Sequence, residues 1–137
     1  RICHVISGPQ AHFFGNIEDF YNTPYEVTSK ADRMGYRLKG IPLVFREGAP
    51  ASIISEAIVP GAIQIPADGQ PIVLMVEQTV GGYAKVGVIT TPDRWRLAQL
   101  RPGDKVSFKP VSVLEAQKQL RDTLAELEKL KVLLMRK

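Results

Sequence analysis

Gln78-Thr79-Val80-Gly81-Gly82-Tyr83 brings two neutral polar side chains, two glycines and an aromatic hydroxyl into one short stretch. Gln and Thr can both donate and accept, glycine lets a ligand approach the backbone, and Tyr83 adds a ring and an O–H. The set suits a small, polar, amide-like ligand. The plainer use of the same residues is a glycine-rich strand crossing with Tyr83 in the core. A second stretch, Asp32-Arg33-Met34-Gly35-Tyr36-Arg37-Leu38-Lys39-Gly40, carries Arg33. The guanidinium fork offers paired donors to carboxylates and phosphates. Its alternative is an ion pair with Asp32 or a solvated edge. Tyr36 and Leu38 share one face if this stretch is a strand. Gln64 stands between Ile63 and Ile65 and therefore faces away from them, toward solvent or a cavity.

Other chemistries lack their residues. There is no GxxxxGK[ST] or GxGxxG phosphate loop. Cys3 is the single cysteine, so an internal disulfide and a cysteine-rich zinc site are excluded. His4 and His12 have no acidic neighbours at ligand spacing, and no metal site is expected. Cys3 and His4, adjacent on a strand, point to opposite faces and make a poor nucleophile pair. No catalytic residue is assigned.

The elements that position these residues are short. Arg1–Ile6, Tyr25–Thr28, Tyr36–Leu38, Ile53–Val59, Lys85–Thr90 and Lys105–Phe108 read as strands. Ala62–Ile65 and Ile72–Val76 flank Pro66-Ala67-Asp68-Gly69 and read as a hairpin, while Gly81-Gly82 reads as a break. Gln10–Tyr21 suits one or two helical turns ended by Pro24, and Thr91-Pro92-Asp93 starts another helix. From Ser112, paired with Glu115 as a capping box, the period becomes 3.6, with Leu120, Leu124, Leu127, Leu130 and Leu134. The pattern predicts a mostly β barrel or sandwich over 1–112, with short helices, and a C-terminal amphipathic helix over 113–137.

The chain has 137 residues, 45% of them hydrophobic and 23% charged, which fits one globular domain. Its longest apolar runs fall far short of the ~20 residues that span a bilayer, so no membrane role is expected. The net charge of +4, from 18 basic and 14 acidic residues, is not gathered into a stripe, so no nucleic-acid partner is expected either. One cysteine and no signal-peptide pattern point to the cytoplasm. Arg1 in place of an initiator Met suggests a piece of a longer chain.

Several segments, in order, resemble one family. They are Gly8-Pro9-Gln10, Asp32 to Leu38 with Gly40, Ser55-Glu56, and Val59-Pro60-Gly61-Ala62-Ile63-Gln64-Ile65-Pro66. Asp68-Gly69-Gln70-Pro71, Gln78-Thr79 with Gly81-Gly82-Tyr83, and Leu97-Ala98-Gln99-Leu100-Arg101-Pro102-Gly103-Asp104 complete the set. The set is similar to the C-terminal portion of the KipA family. That family is also known as the C component of 5-oxoprolinase, the second allophanate hydrolase subunit, or the biotin-dependent carboxyltransferase domain of urea carboxylase. Two positions depart from its pattern: Val76-Glu77 stand where Asp-Arg are usual, and Ala84 where Pro is.

The resemblance implies a cyclophilin-like β-barrel. It implies work with a KipI-like partner, the B component of 5-oxoprolinase, and a third component that together open 5-oxoproline to glutamate using ATP. Its alternatives are carboxyl transfer to urea or a similar amide, from biotin carried by a partner, and a non-catalytic KipI-binding role in regulating a sensor histidine kinase. It supports Arg33, Tyr36, Gln64, Gln78 and Tyr83 as substrate-binding candidates, and the chemistry of the Gln78–Tyr83 stretch adds Thr79, Gly81 and Gly82. The resemblance assigns them no roles; on their chemistry Arg33 would hold the substrate carboxylate, and Gln64, Gln78 and Tyr83 would orient the lactam.

Overall fold

Alternation of apolar and polar side chains produces the strands, and closure of the sheet produces the core. The computed structural model describes residues 1–31, 35–50, 52–56, 59–75 and 81–136. Its strands are β1 (Ile2–Ser7), β2 (Tyr25–Val27), β3 (Gly35–Lys39), β4 (Ser52–Glu56), β5 (Ala62–Ile65), β6 (Ile72–Leu74), β7 (Gly81–Ile89) and β8 (Lys105–Pro110). The helices are α1 (Ile17–Asn22), α2 (Thr91–Leu97) and α3 (Val113–Met135), with a 3₁₀ turn at Ala11–Phe13. The helix expected over Gln10–Tyr21 is therefore two pieces.

Strand order runs β1-β8-β2-β3-β6-β5-β7, and β7 pairs back onto β1. Among the described residues, seven strands thus close the mostly β, cyclophilin-like barrel expected from the sequence, and β4 pairs with the outer end of β7. The β1–β8 pair is parallel and the other pairs are antiparallel. Closure removes the unpaired edges that an open sheet would leave.

The β5–β6 hairpin forms in the expected place, with Ile63 opposite Val73 and Gln64 opposite Ile72. Its turn needs glycine: Gly69 has φ +78°, and a Cβ there would run into the Leu43 carbonyl. Gly81-Gly82, expected as a break, instead begins β7, with Gly81 opposite Glu56 and Tyr83 opposite Ser52. Glycine lowers strand propensity, but pairing with β4 supplies the hydrogen bonds that hold these residues extended.

Inward positions of every wall meet in one core, which includes Cys3, Val5, Leu38, Ile63, Ile65, Val73, Ala84, Val86 and Val106. Each fully buried aliphatic side chain there contributes ~1.5–3 kcal/mol of apolar transfer energy. An aromatic group lies against the wall formed by β2 and β8: Phe20 of α1 stacks on Phe108 with centroids 4.6 Å apart, beside Tyr25. Burial, with Asp19 adding repulsion, pushes the Tyr25 hydroxyl up to about 12, and it donates to the Ile41 carbonyl at 2.6 Å.

α3 begins with the capping box read from the sequence. The Ser112 side chain accepts from the Glu115 N–H at 3.1 Å, and Glu115 accepts from the Ser112 N–H at 3.0 Å. This helix touches α2 and β1 and has no buried residue. No described helix is long and apolar enough to cross a membrane.

Candidate functional site

Register across the barrel separates the sequence candidates onto two faces. Tyr36 lies opposite Val73 on β6 and points inward, 7% exposed. Its hydroxyl donates to the Ala98 carbonyl at 2.9 Å and lies 3.3 Å from that of Leu100. Burial raises its pKa, which keeps the phenol a donor. The ring is thereby tied to the segment that follows α2.

Gln64 faces the other way, because Ile63 and Ile65 on either side are both in the core. It is only 6% exposed. Opposite it on β7 stands Lys85, 5% exposed, and Tyr83 two residues earlier projects to the same side and is 43% exposed. The Gly8-Pro9-Gln10 loop closes this patch. Gln10 Oε1 accepts the Lys85 backbone N–H at 3.0 Å, and the Gly8 N–H donates to the Val86 carbonyl at 2.9 Å. Gly8 lies flush on β7, where a Cβ would come within 2.8 Å of the Lys85 carbonyl. The outer wall of β5 and β7 thus gathers Gln10, Gln64, Tyr83 and Lys85. Two amides, a phenol and an ammonium group can bind a molecule that has both a carboxylate and an amide.

Gly81 and Gly82 lead into this wall at the start of β7. Arg33, Gln78 and Thr79 lie outside the described residues, as do Val76 and Glu77. Ala84, at one departure from the resembled pattern, is fully buried opposite Ile65. The sequence candidates omit Lys85. Its signal was the one that marks Gln64: a polar residue between the apolar neighbours Ala84 and Val86.

A second polar cluster was not legible at all. Asp93 in α2, 1% exposed, accepts from the His4 backbone N–H at 2.6 Å and lies 2.7 Å from His4 Nδ1. Arg96 donates to its other oxygen at 3.0 Å, and Gln119 of α3 at 3.1 Å. Burial pushes the Asp93 carboxyl up, but the bonds from the His4 backbone and ring outweigh it and hold it below its ordinary value. The four bonds join β1, α2 and α3 through one carboxylate. Arg96 is one turn on in α2, but His4 and Gln119 lie 89 and 26 residues away in sequence, so spacing carried no trace of them. No group of three or more metal-ligating His, Cys, Asp or Glu side chains gathers among the described residues.

This barrel, with polar side chains gathered on its outer β5–β7 wall, defines a class: the chain belongs to the carboxyltransferase domain, subdomain A and B, family, whose sequence model matches residues 1–110. Among individual relatives it is 35% identical to the 5-oxoprolinase C component of Escherichia coli (strain K12) over 129 residues. That alignment covers 92% of this chain and 41% of the relative. It is 40% identical to the 5-oxoprolinase C component of Haemophilus influenzae over 100 residues, covering 72% of this chain and 32% of that one. The crystal structure of the K. lactis urea amidolyase superimposes with a TM-score of 0.79 at 27% identity, covering 89% of this chain and 8% of that protein. The chain therefore spans about two-fifths or less of the curated relatives it matches.

Proposed function

We propose that this chain is the C-terminal barrel of a 5-oxoprolinase C component and contributes one wall of the site at which 5-oxoproline is opened to glutamate with ATP. The observation that carries this reading is its 35–40% identity to two 5-oxoprolinase C components, against 27% to the urea amidolyase. The rest of the site belongs to a KipI-like partner, the 5-oxoprolinase B component, and a third component completes the cytoplasmic complex that hydrolyses ATP.

The substrate carries a carboxylate and a lactam. Arg33 holds the carboxylate, while Gln64, Gln78, Thr79 and Tyr83 orient the lactam, with Gly81 and Gly82 allowing close approach to the backbone. Lys85 adds a cation on the same wall as Gln64. Attack on a lactam builds negative charge on its carbonyl oxygen, and a preorganised cation and neutral donors lower that barrier. Tyr36 supports the wall from inside.

The test is ADP release by the full-length protein co-expressed with its two partner components, with and without 5-oxoproline. Release that depends on 5-oxoproline is expected, and Gln64→Leu should raise KM by about tenfold, as loss of one or two neutral hydrogen bonds would. An assembled complex whose ATP hydrolysis ignores 5-oxoproline refutes the reading. The overlay on the urea amidolyase favours, as the second reading, carboxyl transfer to an amide from biotin on a partner. It predicts product only when a biotin-bearing domain is supplied.

A further inference from the structure

We infer that α3 is a self-association element, in which a second copy of this chain lies antiparallel against it with Leu124 of each copy facing Leu127 of the other. The helix extends past the family match, which ends at residue 110. Two grooves join the first turns of α3 to the barrel and α2, and their α3 residues run from Val113 to Asp122. Beyond the barrel, Leu124 and Leu127 are each 49% exposed, Leu130 is 53% and Leu134 is 60%. An apolar stripe of this kind on a helix needs a cover.

The register of charged residues selects the cover. Val113, Gln117, Leu120, Leu124, Leu127, Lys131 and Leu134 alternate spacings of four and three, as the seam of a two-stranded coil does. Two copies in parallel would stack Lys131 on Lys131 and Gln117 on Gln117, with no opposite charges flanking them. Antiparallel pairing of Leu124 with Leu127 puts Lys131 over Leu120, where its stem can lie along the leucine while the ammonium reaches water. The same register sets Arg121 of each copy beside Glu128 of the other, twice per dimer. It also sets Leu114 beside Met135, which are 76% and 74% exposed in the single chain. The end of the second helix then reaches a groove of about 350 Å³ at the base of α3, lined by Ile6, Val59, Val88, Val113 and Leu120 among others. The stripe and the groove form one continuous apolar track, and the flanking charges are complementary to their own two-fold copy.

The test is sedimentation equilibrium on the full-length protein over a concentration series, with thermal melts as a folding control. A reversible dimer is expected. Leu124→Glu with Leu127→Glu should give a monomer that still unfolds in one cooperative transition, since both sites are half exposed in the single chain. Arg121→Glu alone and Glu128→Arg alone should each weaken the dimer by about tenfold, from two contacts turned repulsive. The combined R121E/E128R chain should recover it, because the carboxylate introduced at position 121 of one copy meets the guanidinium introduced at position 128 of the other. A parent that stays monomeric throughout overturns the inference. So does a dimer that survives the double leucine-to-glutamate variant, or a charge swap that fails to restore association.

Discussion

Replacing Asp93 with Ala should cost about 3 kcal/mol, the sum of the bonds its carboxylate holds. That carboxylate is 2% exposed and accepts four hydrogen bonds. Truncation leaves the His4 backbone N–H without its acceptor in a partly buried strand, a loss of ~1–3 kcal/mol. The His4 ring contact is charge-assisted and 32% exposed, and it adds ~1 kcal/mol. Arg96 is 44% exposed and Gln119 is partly exposed on α3, so both return to water and add little. With an unfolding entropy of ~2.1 cal/mol/K per residue, a loss of about 3 kcal/mol in a chain of this size lowers Tm by about 10 °C. Asp93→Asn keeps one oxygen acceptor and should lose about half as much.

The pH dependence follows from the same bonds. The folded Asp93 pKa lies below its ordinary value, so its contribution is full above the unfolded value of ~3.9. That contribution is lost as pH falls through the lower folded value. Melts followed by circular dichroism should therefore show parent and Asp93→Asn converging below about pH 4. A drop smaller than about 3 °C for the Ala variant at about pH 7 would refute the reasoning. So would a gap between parent and Asn that stays constant down to about pH 2.

Two further outcomes follow from buried geometry. Cys3 is fully buried, and its thiol is pushed up to about 12 by that burial, then by the Asp93 charge. Native protein at about pH 8 should resist iodoacetamide and label only after denaturation; rapid stoichiometric labelling of the folded chain would show that β1 opens. Gly69→Ala should cost ~2–4 kcal/mol, since the positive φ is strained for any other residue and the Leu43 backbone occupies the space a methyl would need. A urea midpoint unchanged from the parent would show that the 66–69 turn relaxes freely.

Local chemistry was legible wherever neighbours in sequence set the outcome. The hairpin around Gly69, the capping box at Ser112 and the alternation that turns Gln64 away from Ile63 and Ile65 each depend on a few adjacent residues. The start of α2 at Thr91-Pro92 does too. The ordered motif segments were enough to place residues 1–110 in their family. Where the sequence went wrong at Gly81-Gly82, the reason was non-local: strand β4 pairs there and overrides glycine's weak propensity.

The tertiary structure alone decided which of those residues meet. Tyr36 and Gln64 looked alike as polar candidates, yet closure of the barrel turns one inward onto the Ala98 carbonyl and the other outward beside Lys85. Gln10, Gln64, Tyr83 and Lys85 share a wall because β5 pairs with β7 while the loop after β1 lies on β7, contacts that span as many as 75 residues of chain. Asp93 is joined to His4 and Gln119 for the same reason. A one-dimensional pattern carries the period of an element and the chemistry of a turn. It does not carry the strand order of a closed sheet, because that order is set by the joint burial of all its inward faces.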